Sequence, residues 1–468
     1  MSEPSLTIKP VPPFPGLLRF LGPGIVWLAL AQGSSELIFW PYIVAKYGLG
    51  FLFLLVPACL LQFPLNYQIG AYTLLTGESI LHGFLRLNRG FAICLWILMT
   101  VSFLWFGAFA SAGGTALAAL TGFPAGWGPE GRTLFWGYAS MVVFFAGLLL
   151  SKVVYRFIER FMWCVALVTI AGLVMACLHP DAVAALPSFL RGLVVPARPL
   201  PRPWEPGDRN ALLTSIAFVG LGGFWILFYS YWLREKGAGM AAYAGRVTGP
   251  ITGKSEVIAS QGFTFEATDQ SLSRMRTWKR ALAVDSTIGI AGNLFTTLMT
   301  CLLAYAFLFP AGIFPERYGV AVVQASFFER SWGVVGRLVF LVVAACFLSD
   351  SWMATLDGVS RIHADFFTSL LGGRFRIDYR KAYYSAAVVL TAVTAVTMPF
   401  AEPAALIELS AVIGFAGTVV LSFTLIVLNY WKLPRLVPGA ATPGRAALAG
   451  LSVSAAAYLL LAAAYMLL

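Results

Sequence analysis

Residues 17–45 read LLRFLGPGIVWLALAQGSSELIFWPYIVA, an apolar run interrupted at its middle by Gln32, Gly33, Ser34, Ser35 and Glu36. A helix covers the hydrocarbon core of a bilayer with about 20 apolar residues. Leu17 to Ala31 and Leu37 to Ala45 therefore read as the two halves of one long crossing with a polar break at mid-depth. Glycine and serine are poor helix formers, and serine hydroxyls compete for backbone hydrogen bonds, so the chain is expected to unwind at Gly33 to Ser35. Unwound backbone at that depth is tolerated only where it lines protein or water. Glu36 strengthens the reading, because an unpartnered carboxylate there costs about 3 kcal/mol.

Working outward, ten further apolar runs follow, at about 50–73, 90–120, 132–151, 155–178, 210–233, 281–309, 336–364, 380–398, 403–431 and 446–468. With 17–46 they predict eleven spans. The bulk composition agrees: 59% of the 468 residues are apolar and 11% charged, under half the roughly 25% of a soluble domain. An ordinary solvated surface is excluded, and scattered Gly and Pro without a period exclude a fibrous or low-complexity chain. Met1 to Pro15 is polar and Pro-rich, with no pattern of a cleavable signal peptide. The net charge of +11 resolves into topology. With the N-terminus inside, 23 of the 32 Lys and Arg fall on cytoplasmic segments and 9 on external ones, which predicts a cytoplasmic N-terminus and an external C-terminus in a cell inner (plasma) membrane. The cations are dispersed over short segments, so no nucleic-acid partner is expected; the partners are the lipid bilayer and a divalent cation or small solute. The six cysteines all fall within spans and read as small buried residues. Residues 179–209, with seven prolines, are expected to run as an extended external cover, and 234–280 as a Gly-rich cytoplasmic linker.

A second weak point lies in span six, at Gly220, Leu221, Gly222 and Gly223, followed by Phe224, Trp225 and Tyr229. Spans one and six are the first helices of two five-helix halves. Interruptions at corresponding positions of two halves point to an inverted-repeat transporter with its site at the repeat interface. The predicted fold is therefore all-α: a polytopic membrane protein with a 5+5 inverted repeat (about 17–178 and 210–431) and one extra helix (about 446–468), forming a single transmembrane domain.

Leu21, Gly22, Pro23 and Gly24, the Ala-Lys-Tyr-Gly at 45–48, Thr76, Gly77 and Glu78 closing span two, Tyr155 to Arg160 opening span five and the span count are similar to the Nramp (natural resistance-associated macrophage protein) family of divalent-metal transporters. Thr355 to Arg361, ending span eight, resembles a divergent bacterial branch of it. The resemblance covers most of the chain at the level of topology and implies the leucine-transporter fold, with helices one and six unwound around the substrate. The site departs from the family pattern. The family's Asp-Pro-Gly-Asn falls on Gly33, Ser34, Ser35 and Glu36, and its Met-Pro-His on Gly222, Gly223 and Phe224. The acid thus stands at the position of the Asn, and the thioether that favours soft metals is gone. Span three, Phe91 to Leu120, holds no Asp, Glu, Lys, Arg or His, so the family's proton route through it does not carry over.

The remaining mid-membrane polar groups are Gln32, Ser34, Ser35, Glu36, Asn293, Ser349, Asp350 and Ser351, with Asp285 early in span seven and Glu408 near the external end of span ten. Two carboxylates, Glu36 and Asp350, with hydroxyls and freed carbonyls are hard oxygen ligands suited to Mg²⁺ or Mn²⁺. The leading expectation is a secondary transporter moving such a cation by alternating access, with no cofactor beyond the transported ion. An aromatic wall of Phe224, Trp225 and Tyr229 facing Glu36 would instead suit an organic amine or amino acid. A non-transporting receptor would need a soluble effector region that 234–280 is too short to build. Nothing in the loops has the spacing of an enzyme's nucleophile, nucleotide loop or metal hydrolase site. Asp357 and Arg361, four apart, predict an internal ion pair serving as gate or anchor. His82, His179 and His363 lie dispersed at span ends and predict no histidine metal site.

Overall fold

The computed structural model describes residues 6–220, 222–313, 320–371 and 377–467, and the side chains of Ser34, Ser35 and Glu36 lie outside the described residues. Among the described residues, ten helices are long and apolar enough to cross a membrane: Leu52–Thr76, Arg89–Thr121, Pro129–Leu150, Val154–Cys177, Pro206–Lys236, Asp269–Leu308, Trp332–Leu370, Tyr379–Phe400, Pro403–Arg435 and Arg445–Leu467. They correspond to expected spans two to eleven. The first expected span is a short helical turn, Leu17–Phe20, followed by three consecutive helical pieces, Pro23–Ala31, Gln32–Phe39 and Trp40–Tyr47.

Span six is the central post. Of its most apolar stretch 94% is buried, against 22% for span eleven at the rim. Small residues set the crossings around it. A methyl on Gly24 of span one would sit 2.1 Å from the Asp285 carbonyl oxygen of span seven, and one on Gly113 of span three would meet Ser349 of span eight. Such close backbone approach is how helices gain dispersion energy where lipid removes the hydrophobic drive between them.

Two connections differ from expectation. The proline-rich cover begins as a helix, Pro180–Gly192, rather than an extended strap. Pro180 stands at the first helical position, where its missing N–H costs nothing, and His179 caps the turn by accepting from the Asp181 amide. Ala182, Phe189 and Gly192 form its buried face. At the other connection, helix seven starts at Asp269, inside the segment read as linker, with Thr268 capping the Ser271 amide. This extension buries Met275 and Trp278, and the Trp278 indole donates to the Pro12 carbonyl (3.0 Å). The rest of the linker folds back on the bundle, where Thr7 and Ile8 pair in parallel with Phe263 and Thr264. The end of the bundle that it covers is called the linker face below. The six cysteines are free, but only Cys59 and Cys301 are buried; Cys94 and Cys164 are exposed on the perimeter of the bundle.

Candidate functional site

The sixth span breaks where the glycines predicted. Helix Arg209–Phe218 ends, Val219 turns extended, and a tight turn at Gly223–Leu227 leads into helix Phe228–Lys236. Gly220 and Gly223 have φ of +77° and +68°, the left-handed region that costs other residues about 1–2 kcal/mol. Four neighbouring spans bond the freed backbone. The Gly220 amide donates to Asn293 Oδ1 of span seven (2.7 Å), and its carbonyl accepts from the Trp27 indole of span one (3.0 Å). Gly223 donates to Thr418 Oγ1 of span ten (2.7 Å), and Gln62 Nε2 of span two reaches the Ala217 carbonyl (3.4 Å). Trp27, Gln62 and Thr418 were not singled out in the sequence, because nothing in the order of residues says which distant side chain meets an unwound amide.

The middle of span one does not unwind. Gln32 to Phe39, which includes Gly33, runs as a π-helix between two α-helical pieces. Widening the turn by one residue accommodates poor helix formers without leaving the helical region, and such π turns recur at functional sites. Gln32 is fully buried, and neither of its amide atoms has a partner among the described residues. The π segment packs against span eight, span seven and the first half of span six. Ser34, Ser35 and Glu36 therefore sit on a backbone surrounded by these elements, although their side chains lie outside the described residues.

Span eight supplies the second deep carboxylate. Asp350 is fully buried, with the hydroxyl and amide of the adjacent Ser351 beside its carboxylate but no well-formed hydrogen bond to either oxygen among the described residues. The next residue, Ser351, turns its hydroxyl to the Leu30 carbonyl of span one (3.5 Å), which places this stretch one turn from Gln32. Ser349 is likewise buried, its hydroxyl without a hydrogen-bond partner among the described residues. Among the described residues no three His, Cys, Asp or Glu side chains gather into a metal cluster.

The aromatic residues after the break are engaged in packing. Phe224 presses on Gly417 of span ten. Trp225 donates to Thr355 Oγ1 (3.1 Å) and stacks edge-on with Phe103 (4.6 Å between ring centroids) and Phe218 (5.0 Å). Tyr229 donates to Asp285 (2.8 Å) and lies 3.1 Å from the Ser286 hydroxyl. Asp285 in turn accepts from the amides of Gly24 (2.7 Å) and Gly22 (3.3 Å), capping the first helix of span one from span seven.

Both ends of the bundle are tied by ion pairs. The Asp357–Arg361 pair is present, at 2.9 Å, with the Tyr383 hydroxyl on Asp357 (2.7 Å). Arg361 also binds Glu235 at the end of span six, and Glu235 accepts from the Val247 amide of the linker (3.0 Å). Beside it, Asp365 of span eight receives Ser79 and Tyr231 (3.1 Å for the latter) and faces Arg234 (3.7 Å) and His82 (3.6 Å). Outside the spans on this face, burial works against ionisation of Glu78, yet Arg86 at 2.6 Å, with His82 and Tyr72, holds its carboxyl below the ordinary glutamate value. At the opposite end, Lys46 of span one joins Asp208 (2.8 Å) and Glu205 (2.6 Å) at the start of span six, and Tyr42 and Tyr47 donate to Asp208 (2.7 and 2.6 Å). Of the other expected groups, His363 is buried with Nδ1 2.8 Å from the Val359 carbonyl, and Glu408 is half-buried on span ten.

The sequence matches no protein family model and no curated protein. Solved structures do match. A mutant of the manganese transporter of Eremococcus coleocola aligns over 98% of this chain and 90% of its own, at 13% identity and a TM-score of 0.63. The same transporter bound to an aromatic bis-isothiourea compound aligns over the same shares at 14% identity and a TM-score of 0.62. MhsT in complex with L-phenylalanine aligns over 93% of this chain and 97% of its own, at 14% identity and a TM-score of 0.57. The molecule is a multi-pass membrane protein of the leucine-transporter fold, as the resemblance implied.

Proposed function

We propose that the chain is an Nramp-related secondary transporter that carries a divalent metal cation, hard or hydrated such as Mn²⁺ or Mg²⁺, by alternating access. The repeats are 17–178 and 210–431, with 446–468 added, and the linker face is cytoplasmic in a plasma (inner) membrane with the C-terminus outside. Glu36 is the principal ligand and Asp350 the second. Gln32, Ser34, Ser35 and Ser351 supply further oxygens, and Gly33, Gly222 and Gly223 keep backbone near the ion.

The observation that carries this reading is Asp350, a carboxylate buried at mid-span with no cationic partner and, apart from the adjacent Ser351, no hydrogen-bonding group on it among the described residues, beside span one and its π turn. Holding such a group at that depth is costly unless something neutralises it, and a transported cation does so. The likeness to a manganese transporter fits this reading. The aromatic side chains that would cradle an amine are already spent on Gly417, Thr355 and Asp285. Asp357, Arg361 and Glu235 act as the inner gate.

Purified protein in liposomes tests the assignment. Mn²⁺ or Mg²⁺ uptake should fall to background in Glu36→Gln and in Asp350→Asn, with both variants still monodisperse. Internal pH should stay level during uptake, given the uncharged third span. Uptake unaltered by both substitutions overturns the assignment.

A further inference from the structure

On the linker face, span five opens with three cations that the transport reading does not use. Lys152, Arg156 and Arg160 are exposed and spaced four apart, and none forms an ion pair or side-chain hydrogen bond with a described residue. They border a depression of about 610 Å³ whose walls include Phe157 and Phe161. Helix Val154–Cys177 begins inside it with no side chain capping its first turn, so the positive end of the helix dipole adds to the three charges. Glu256, the carboxylate that feels Arg156, is itself held by Arg246 at 2.6 Å.

What lies further along the same helix face selects the ligand. Trp163 and Leu167 continue the stripe of Arg156 and Arg160 at helical spacing, 37% and 62% exposed. A face that is basic for its first two turns and apolar beyond them runs outward along the perimeter, not into the protein. We infer that this depression binds the phosphate headgroup of an anionic phospholipid, with the acyl chains lying along Trp163 and Leu167. Phe157 and Phe161 form the boundary between the two, and the cations reach the phosphate with their apolar stems on the helix.

The experiment uses the full chain in neutral detergent, with retained lipid counted by native mass spectrometry. Phosphatidylglycerol should be retained and phosphatidylcholine not. Lys152→Gln/Arg156→Gln/Arg160→Gln should weaken retention roughly fivefold per cation, about a hundredfold in all. Lys152→Arg/Arg156→Lys/Arg160→Lys keeps the charges and should retain the lipid, which separates lost binding from lost folding. Arg435→Gln/Arg445→Gln removes two exposed cations from another loop on this face and should change nothing. Equal loss in that control, equal retention of phosphatidylcholine, or full competition by millimolar inorganic phosphate each overturns the inference.

Discussion

Spans one and six both carry a glycine-containing interruption at matching places, yet they solve it differently. Span six leaves the helix altogether, with two glycines at positive φ and its amides handed to Asn293 and Thr418. Span one keeps its helix and widens it into a π turn over Gln32–Phe39. The difference follows from the residues. Gly220, Gly222 and Gly223 within four positions let the chain reverse handedness cheaply. One glycine followed by two serines and a glutamate does not, so the strain in span one is relieved by one extra residue in the ladder. A break driven by glycine fixes backbone amides on neighbouring spans, whereas a π turn leaves its side chains to be satisfied by whatever occupies the space beside it.

The sharpest way to break this contrast is Gly222→Ala. Its methyl would lie 2.0 Å from the Ala217 carbonyl oxygen and 2.7 Å from Gln62 Nε2, so a loss of about 3 kcal/mol is expected from overpacking against backbone. It would be read as a drop in the thermal midpoint of the purified protein. Next in size, Asn293→Leu removes the acceptor of the Gly220 amide and strands a buried N–H, for about 2 kcal/mol. Thr418→Val should do the same to Gly223, and the pair should be non-additive because both hold one break. Smallest is Gly33→Ala in the π turn. Its backbone is already helical, so stability should rise or stay within about 1 kcal/mol. A Gly33→Ala variant as unstable as Gly222→Ala would remove the distinction between the two spans.

The sequence made the membrane class, the spans and the place of both interruptions legible, because apolar run length and glycine spacing are local properties. Asp357 with Arg361 was legible for the same reason, being one turn apart. Its third member, Glu235, was not, since that contact crosses between span six and span eight. Asp285 shows the same limit: its position in span seven was plain, but not that it would cap span one through Gly22 and Gly24. The kind of interruption in span one was also beyond reach, because low helix propensity marks weakness without saying whether the chain unwinds or widens. Prolines misled in the opposite direction. Seven of them over 179–209 suggested an extended strap, whereas Pro180 starts a helix and Pro187 sits within it.

One feature of span six bears on how such a molecule moves. Among the described residues its backbone ladder ends with the bond from Val219 to Ser215 and resumes in the turn at Gly223. The first half is moored through Asp208 to Lys46 of span one, the second through Glu235 to Arg361 of span eight. Among the described residues no helical hydrogen bond links one half to the other. On the transport reading proposed above, the two moorings would be doors of an airlock on separate hinges, with the pivot between them held by side chains from four other spans.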